Sequence, residues 1–105
     1  MTAFAIIVDF RLKPGAQPAF RKLVDANART SAARERGCRR FDVMEPQGEA
    51  DRILLYEIYD DAAAFDAHMG SAHYAEFDAQ SAPLVAGKSV VACNLVCEGS
   101  AASGG

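Results

Sequence analysis

The fold is decided by residues 53–69, which read ILLYEIYDDAAAFDAHM. The first seven of these residues are apolar or aromatic apart from one glutamate, and such a run predicts a β-strand. Two aspartates follow and provide the N-cap of a short helix over 62–69, in which Phe65 and His68 share one face. The stretch therefore predicts a strand that passes directly into a helix.

The segments on either side complete a β-α-β-β-α-β order. Their patterns predict strands at 4–12, 38–44, 53–59 and 89–96, and helices at 17–36, 62–69 and 71–80. Gly70 interrupts the second helical region, and the second and third strands along the chain are expected to form a hairpin. This order predicts the ferredoxin-like fold, an α+β architecture with a four-stranded antiparallel sheet and helices on one face.

The length and composition fit one soluble domain. The chain has 105 residues, of which 50% are hydrophobic and 24% charged, and these are ordinary values for a globular protein. We expect the domain to span residues 1–97, followed by a small polar tail at 98–105. No apolar run is long enough for a transmembrane helix, and no signal peptide pattern is seen at the N-terminus. We therefore expect a cytoplasmic protein that does not bind membranes.

Charges and cysteines exclude further classes of protein. Residues 1–40 carry nine basic and three acidic side chains, whereas residues 41–105 carry two basic and eleven acidic ones. No aromatic residues are interleaved with the basic ones, so we expect no nucleic-acid binding. Three cysteines without a secretion signal do not predict disulfides.

The strands predict an association between two copies of the chain. In the third strand Leu54 and Ile58 lie on one face of the sheet, and Ile53 and Leu55 lie on the other, so both faces carry apolar side chains. Helices cover only one of these faces. Since an exposed apolar sheet face marks an interface, we expect a homodimer in which two sheets pack face to face.

Two polar residues occupy positions that suit apolar side chains. Asn27 lies on the apolar stripe of the first helix, where it either bonds to neighbouring backbone or faces a ligand. Glu57 lies inside the most apolar strand. It either faces inwards with a raised pKa or forms a salt bridge with Arg39 or Arg40 at a dimer interface, and we favour the salt bridge.

The two histidines, His68 and His73, are candidate general bases near neutral pH. Either one could instead cap a helix break or bond to backbone. Their spacing of five residues does not suit a helical metal pair, and no carboxylate or thiolate completes a ligand set, so we expect no metal. Four aromatic residues surround the same space, namely Phe41, Phe65, Tyr74 and Phe77. The residues alone thus predict a dimeric domain with a modest apolar pocket.

The sequence resembles the antibiotic biosynthesis monooxygenase (ABM) superfamily over residues 3–96. The resemblance is carried by the motifs Ala26–Arg29, Gly37–Val43, Leu55–His68 and Ser71–Tyr74. It is most similar to the branch that holds quinol monooxygenases and autoinducer-2 degrading proteins. Arg39 departs from the family pattern, in which an apolar residue is usual.

The resemblance implies a dimeric α+β barrel and a monooxygenase without flavin, haem or metal, in which a small quinol or phenolic, polyketide-like substrate reduces dioxygen itself. The implied site has a proton acceptor, hydrogen-bond partners and apolar walls: His68 or His73; Asn27 and Tyr56; and Phe41, Phe65, Met69 and Phe77. Glu57 is a further candidate for contact with the substrate. One alternative is an isomerase of a small phosphorylated ligand, with Arg29 or Arg40 near the phosphate. The other is a dimer that binds a small ligand without catalysis.

Overall fold

A computed structural model describes residues 2–99 of the chain. Within them four antiparallel strands form one sheet in the order β2-β3-β1-β4, and helices pack on one side of it. The elements are β1 (Ala3–Leu12), α1 (Gln17–Arg34), β2 (Cys38–Met44), β3 (Arg52–Tyr59), α2 (Ala62–Met69), α3 (Ala72–Ser81), a 3-10 turn (Ala82–Leu84) and β4 (Val85–Leu95). The predicted ferredoxin-like fold is confirmed.

The helix after β3 is divided, as the glycine in the sequence predicts. Asp61 caps α2 by accepting a hydrogen bond from the backbone of Ala64, and Ser71 caps α3 by accepting one from the backbone of Tyr74. Gly70 lies between them as the C-cap of α2. Each short helix therefore begins at a side-chain cap of its own, which satisfies backbone N–H groups that would otherwise be unpaired.

Two predicted boundaries differ from the structure. α1 ends at Arg34 rather than Arg36, because Glu35 already has an extended backbone. β4 begins at Val85 rather than Ser89, since the ladder with β1 continues through a register shift to the pair Leu12 and Val85. The sequence 85–88 contains a glycine and a lysine and lacks a strand signal of its own, so this part of β4 follows from pairing with β1.

The two faces of the sheet differ in what covers them. On the helix side Ile6, Val8 and Phe10 of β1 pack with Phe20 and Val24 of α1 in the hydrophobic core. β4 is an edge strand, and its helix-side residues at 88, 90, 92 and 94 are exposed. The helices thus leave a gap over β4, and this gap opens the site described below.

The opposite sheet face carries apolar side chains with no helix above them. Ile7 is 40% exposed and Val91, its partner across the β1–β4 ladder, is 54% exposed. Leu54 and Tyr56 of β3 lie on the same face and are half-buried. This open face is the surface on which the sequence predicts dimerisation, and the homodimer stays a prediction.

The predicted tail is only partly described. Residues 98 and 99 are exposed and have no regular structure, whereas residues 100–105, like Met1, lie outside the described residues. Within residues 2–99 no helix is both long and apolar enough to cross a membrane.

Candidate functional site

An apolar cavity of about 200 Å³ lies between the helix side of the sheet and the three helices. Four of its aromatic walls, together with Met69, come from β2, α2 and α3: Phe41, Phe65, Tyr74 and Phe77. Its polar side chains are few: Asn27, Glu57, His68 and Lys88. An apolar cavity with a few convergent polar groups is typical of a small-molecule site. A larger cleft of about 420 Å³ near the C-terminal end of β1 is lined mainly by charged residues, among them Asp9 and Arg52, which form a salt bridge, and it shares Lys88 with the cavity.

His68 is held inside this cavity by aromatic side chains. It is 2% exposed, and the centroid of its ring lies 5.2 Å from that of Tyr74 and between 5.6 and 6.3 Å from those of Phe41, Tyr59 and Phe65. Burial lowers the pKa of His68 below its ordinary value of 6.5, although a hydrogen bond with a carboxylate opposes that shift. The imidazole is therefore neutral at pH 7 and can accept a proton.

The carboxylate beside His68 belongs to Glu35, directly after α1. Glu35 Oε2 lies 2.7 Å from His68 Nδ1 and 2.5 Å from His73 Nε2. Because an ionised carboxylate only accepts hydrogen bonds, His68 Nδ1 carries the proton and Nε2 keeps its lone pair. Nε2 makes no hydrogen bond within the described part of the chain. Glu35 thus fixes the tautomer in which His68 is a base.

Ser31 adds a hydroxyl to the same network. Its Oγ lies 3.3 Å from His68 Nδ1 and 3.2 Å from His73 Nε2, and it donates a hydrogen bond to the backbone oxygen of Asn27 at 2.7 Å. Ser31 and Asn27 are both buried on α1, one turn apart. These buried polar residues of α1 therefore help to hold the two histidines in position.

The trio of Glu35, His68 and His73 raises the question of a metal. One ligand atom from each lies within 4.8 Å of the others, and these are donor types that zinc uses. The oxygen–nitrogen separations of 2.5 and 2.7 Å are hydrogen-bond distances, whereas two ligands on one tetrahedral zinc ion lie about 3.3 Å apart. The residues form a hydrogen-bonded network in this structure. The sequence-based expectation that no carboxylate completes a ligand set with the histidines was wrong, because Glu35 lies beside both of them; the expectation that no metal binds stays a prediction.

Asn27 lines the cavity, as one of the two sequence interpretations requires. It is 4% exposed, and its Oδ1 is buried without a hydrogen-bond partner among the described residues. An unpaired buried amide oxygen costs about 1–3 kcal/mol. A ligand hydroxyl that donates to this oxygen would remove that cost.

Glu57 faces the cavity and not the open face of the sheet. It is 3% exposed, and Tyr59 donates a hydrogen bond to its Oε1 at 2.6 Å. Burial raises the pKa of Glu57 to about 7, against the hydrogen bond from Tyr59, which lowers it. Arg39 pairs instead with Asp60 at 2.6 Å.

The favoured interpretation of Glu57 as an interfacial salt-bridge partner was therefore wrong. Arg40, the second candidate partner, pairs with Asp42 at 3.1 Å, and it pairs across the ladder with Ile58 rather than with Glu57. The two arginines occupy the outer strand β2, where their side chains are exposed. Glu57 is left with Tyr59 as its hydrogen-bond partner in the described residues.

Three other predicted residues lie away from the cavity. Tyr56 is on the opposite sheet face from Glu57, since neighbouring strand residues point to opposite faces, and it lines a cleft with Arg40 and Leu95. This corrects its predicted role as a hydrogen-bond partner of the substrate. His73 is not in the cavity lining and lines a separate cleft between α1 and α3. Arg29 is exposed near the outer side of β2.

Four residues at the site were missed by the sequence analysis, namely Ser31, Glu35, Tyr59 and Lys88. Glu35 lies 33 positions before His68, and no local pattern links them. Lys88 lines the cavity, and its Nζ lies 5.4 Å from the centroid of the Phe10 ring and 6.0 Å from that of Tyr74. One signal for Lys88 was available, since residues 41–105 contain a single lysine.

Comparisons with known proteins agree with this architecture. Residues 3–80 match the family model described as "Antibiotic biosynthesis monooxygenase". The chain is 37% identical over 81 residues to "Putative monooxygenase Rv0793" of Mycobacterium tuberculosis, covering 77% of this chain and 78% of that protein.

Solved structures extend the comparison. The structure of Rv0793 is similar with a TM-score of 0.84 and 33% identity, covering 94% of this chain and all of that one. A structure described as "Putative antibiotic biosynthesis monooxygenase" from Nitrosomonas europaea has a TM-score of 0.86 and 27% identity, covering 90% of this chain and 91% of that one.

Proposed function

The chain belongs to the antibiotic biosynthesis monooxygenase family, and from this premise we propose that it is a cofactor-independent monooxygenase of a small quinol or phenolic substrate. The observation that carries the proposal is the geometry of His68. A neutral imidazole, with Nδ1 hydrogen-bonded to Glu35 and Nε2 unpaired, lies in a cavity with aromatic walls. Such a group can take a proton from a phenolic hydroxyl.

The chemistry needs no electron donor besides the substrate. A hydroquinone that loses a proton to His68 Nε2 becomes electron-rich enough to reduce dioxygen. The balanced reaction is hydroquinone plus O₂ to hydroxyquinone plus water: one oxygen atom stays on the ring and the other leaves as water. Asn27 can hold the reacting oxygen through its amide, and the aromatic walls limit the contact of a bound ring with water.

The size of the cavity favours a small substrate. Its volume of about 200 Å³ lies below the roughly 300–1,000 Å³ of pockets for drug-sized ligands. Aromatic walls suit a planar ring. We therefore expect a substrate of one ring or two fused rings rather than a polycyclic compound.

An isomerase of a phosphorylated ligand is the second candidate, and one observation favours it. Lys88 supplies a positive charge at the cavity. The arginines considered for a phosphate are elsewhere, because Arg29 is on the outer side of β2 and Arg40 pairs with Asp42. A single lysine gives a weaker phosphate site than a cluster of arginines, so the quinol is preferred.

The protein is proposed to act as a homodimer. The apolar open face, including Ile7 and Val91, would be covered by a second copy of the same face. The cavity opens on the helix side of the sheet, so association through the open face would leave it accessible.

The test is an aerobic assay with one-ring hydroquinones that follows oxygen uptake and product identity. We expect His68→Ala to lower turnover roughly 10²-fold or more while folding normally, as for loss of a general base, and Asn27→Ala to lower it less. Tyr56→Phe is the matched control, because it changes the same sheet on the face away from the cavity.

Three results would contradict the proposal. Oxygen uptake that survives His68→Ala would exclude His68 as the base. Isomerisation of a phosphorylated autoinducer-2 analogue without oxygen uptake would support the second candidate. Saturable binding of either compound without turnover would support a non-enzymatic binding protein.

A further inference from the structure

The cavity contains a second proton acceptor besides His68. Glu57 enters it from the sheet, whereas His68 enters it from α2. Glu57 Oε1 is occupied by the Tyr59 hydroxyl at 2.6 Å, and Oε2 makes no hydrogen bond within residues 2–99. A buried carboxyl with one oxygen held and the other unpaired can exchange a proton with a ligand.

The substrate chemistry has a use for two acceptors. A hydroquinone has two hydroxyl protons, and both are absent from the quinone form of the product. A single histidine can hold only one of them during the reaction. The second hydroxyl would have to release its proton to another group, and Glu57 is the carboxyl that lines the cavity.

The surroundings of Glu57 allow both of its ionisation states. Lys88 favours the charged form and Glu35 disfavours it, while burial is the largest effect and raises the pKa to about 7. Titratable groups face Glu57 from every surrounding element: Glu35 after α1, Cys38 of β2, Tyr59 of β3, His68 of α2, Tyr74 of α3 and Lys88 of β4. The carboxyl can therefore accept or release a proton near neutral pH.

We propose that Glu57 is a catalytic residue that accepts the second hydroxyl proton. The site then suits a substrate ring with two ionisable hydroxyls, one beside His68 on α2 and the other beside Glu57 on the sheet. This inference rests on the proposed function and names its substrate class. His68 takes one hydroxyl proton and Glu57 takes the other.

The atoms and electrons of the reaction then balance. The ring gives four electrons to O₂, and one oxygen atom bonds to a ring carbon. The O–O bond breaks, and the other oxygen atom leaves as water with the two protons that His68 and Glu57 held. The hydrogen of the attacked ring carbon ends on the new hydroxyl.

The experiment uses 2-nitrohydroquinone without oxygen as an optical probe, because its absorption spectrum reports each loss of a proton. At pH 8 we expect the wild-type protein to bind it with both hydroxyls ionised. Glu57→Gln should bind it with one hydroxyl ionised at the same pH. Tyr59→Phe, which removes the hydrogen bond that favours ionised Glu57, should move the second ionisation to higher pH.

Turnover of hydroquinone in air gives a separate measurement. Glu57→Gln should lower kcat by roughly 10²-fold, as for loss of an acid–base group. In the pH profile of kcat, Tyr59→Phe should displace the part of the acid limb that belongs to Glu57, and Glu57→Gln should abolish that part. A merely structural role of Glu57 would lower the melting temperature and leave the shape of the pH profile unchanged.

The outcomes separate the two proposals. Two ionisations of the bound probe without oxygen uptake would contradict the monooxygenase and support the role of Glu57. If the protein takes up oxygen and Glu57→Gln still binds the probe with both hydroxyls ionised, the role of Glu57 is overturned and the proposed monooxygenase stands. A probe that does not bind to the folded wild-type protein would overturn the assigned substrate class.

Discussion

The two faces of the sheet use neighbouring residues of one strand for different purposes. Glu57 of β3 points into the cavity under the helices, while Tyr56 and Ile58 point to the open face. The helix side surrounds a cavity whose polar groups include Asn27 Oδ1, buried without a hydrogen-bond partner among the described residues, whereas the open side exposes the apolar Ile7 and Val91. From this comparison we expect the proposed chemistry on one face and the proposed association on the other.

The largest expected effect concerns Glu35, and it tests whether the chemistry belongs to the helix side of the sheet. Glu35→Gln removes the charge that holds His68 Nδ1–H, and we expect turnover to fall by up to about 10²-fold, no further than in His68→Ala, because Glu35 acts only through the base that it orients. Oxygen uptake per folded molecule measures the effect.

His73→Gln is its matched control, because it changes the other partner of the same carboxylate oxygen and lies outside the cavity lining. We expect a loss of only a few-fold. Equal losses in both variants would show that the network acts as a structural unit and that the tautomer of His68 is not decisive.

The next effect is on stability and depends on pH. Burial raises the pKa of Glu57 from 4.5 to about 7, so between these values the folded protein holds a proton that the unfolded chain releases. The free energy of unfolding of the wild type therefore falls as pH rises through this window. Glu57→Gln lacks this dependence and should exceed the wild type by about 3 kcal/mol above pH 7, and by almost nothing below pH 4.5.

Denaturant unfolding at pH 4 and pH 8 measures that difference. Asp42 supplies the control, because its side chain is 45% exposed, and Asp42→Asn should change the free energy of unfolding little, as is usual for exposed positions. A pH-independent effect of Glu57→Gln would contradict the buried, cavity-facing position of this carboxyl.

A smaller effect is expected from the open face. Ile7→Asp places a charge in the centre of the apolar surface, and we expect it to turn a dimer at micromolar concentration into a monomer, because a buried unpaired charge opposes association. Sedimentation velocity measures the change. Lys13→Asp at an exposed turn outside the sheet is the control and should leave the dimer intact. A wild-type protein that sediments as a stable monomer would contradict the predicted barrel.

The smallest expected effect is that of chelation, which should be none. The hydrogen-bond distances from Glu35 to both histidines favour protons rather than an ion between them. Dialysis against EDTA should therefore leave oxygen uptake unchanged, and added Zn²⁺ should not raise it. Metal analysis of the purified protein by mass spectrometry provides the check, and stoichiometric zinc would contradict this prediction.

The fold could be predicted from the sequence because its signals are local. The caps Asp61 and Ser71 and the alternation of β3 lie within a few residues of the elements that they define. The candidate site was predicted in part. His68 and Asn27 were recognised because a polar residue is unusual on an apolar stripe. The aromatic walls were recognised because they belong to such stripes.

The rest of the site depends on distant contacts or on a rule that was not applied. Glu35 meets His68 only after α1 and α2 have packed on the same sheet, and Lys88 reaches the cavity through a β4 that begins four residues earlier than its own sequence indicates. Tyr56 was assigned to the same space as Glu57, although adjacent residues of a strand cannot share a face. That error could have been avoided from the sequence alone.

How far His68 reaches into the cavity depends on Gly37, which has no side chain. A Cβ atom at Gly37 would lie 2.4 Å from the Cβ of Ala64 on α2, about 1 Å closer than tightly packed carbon atoms allow. A single methyl group at position 37 would therefore lift the helix that carries both the base and one wall of the cavity. Displacements of this size can cost about 10²-fold in rate. The distance between the sheet and the base thus depends on the single hydrogen atom at Gly37, and Gly37→Ala should change the shape of the cavity as well as the position of His68.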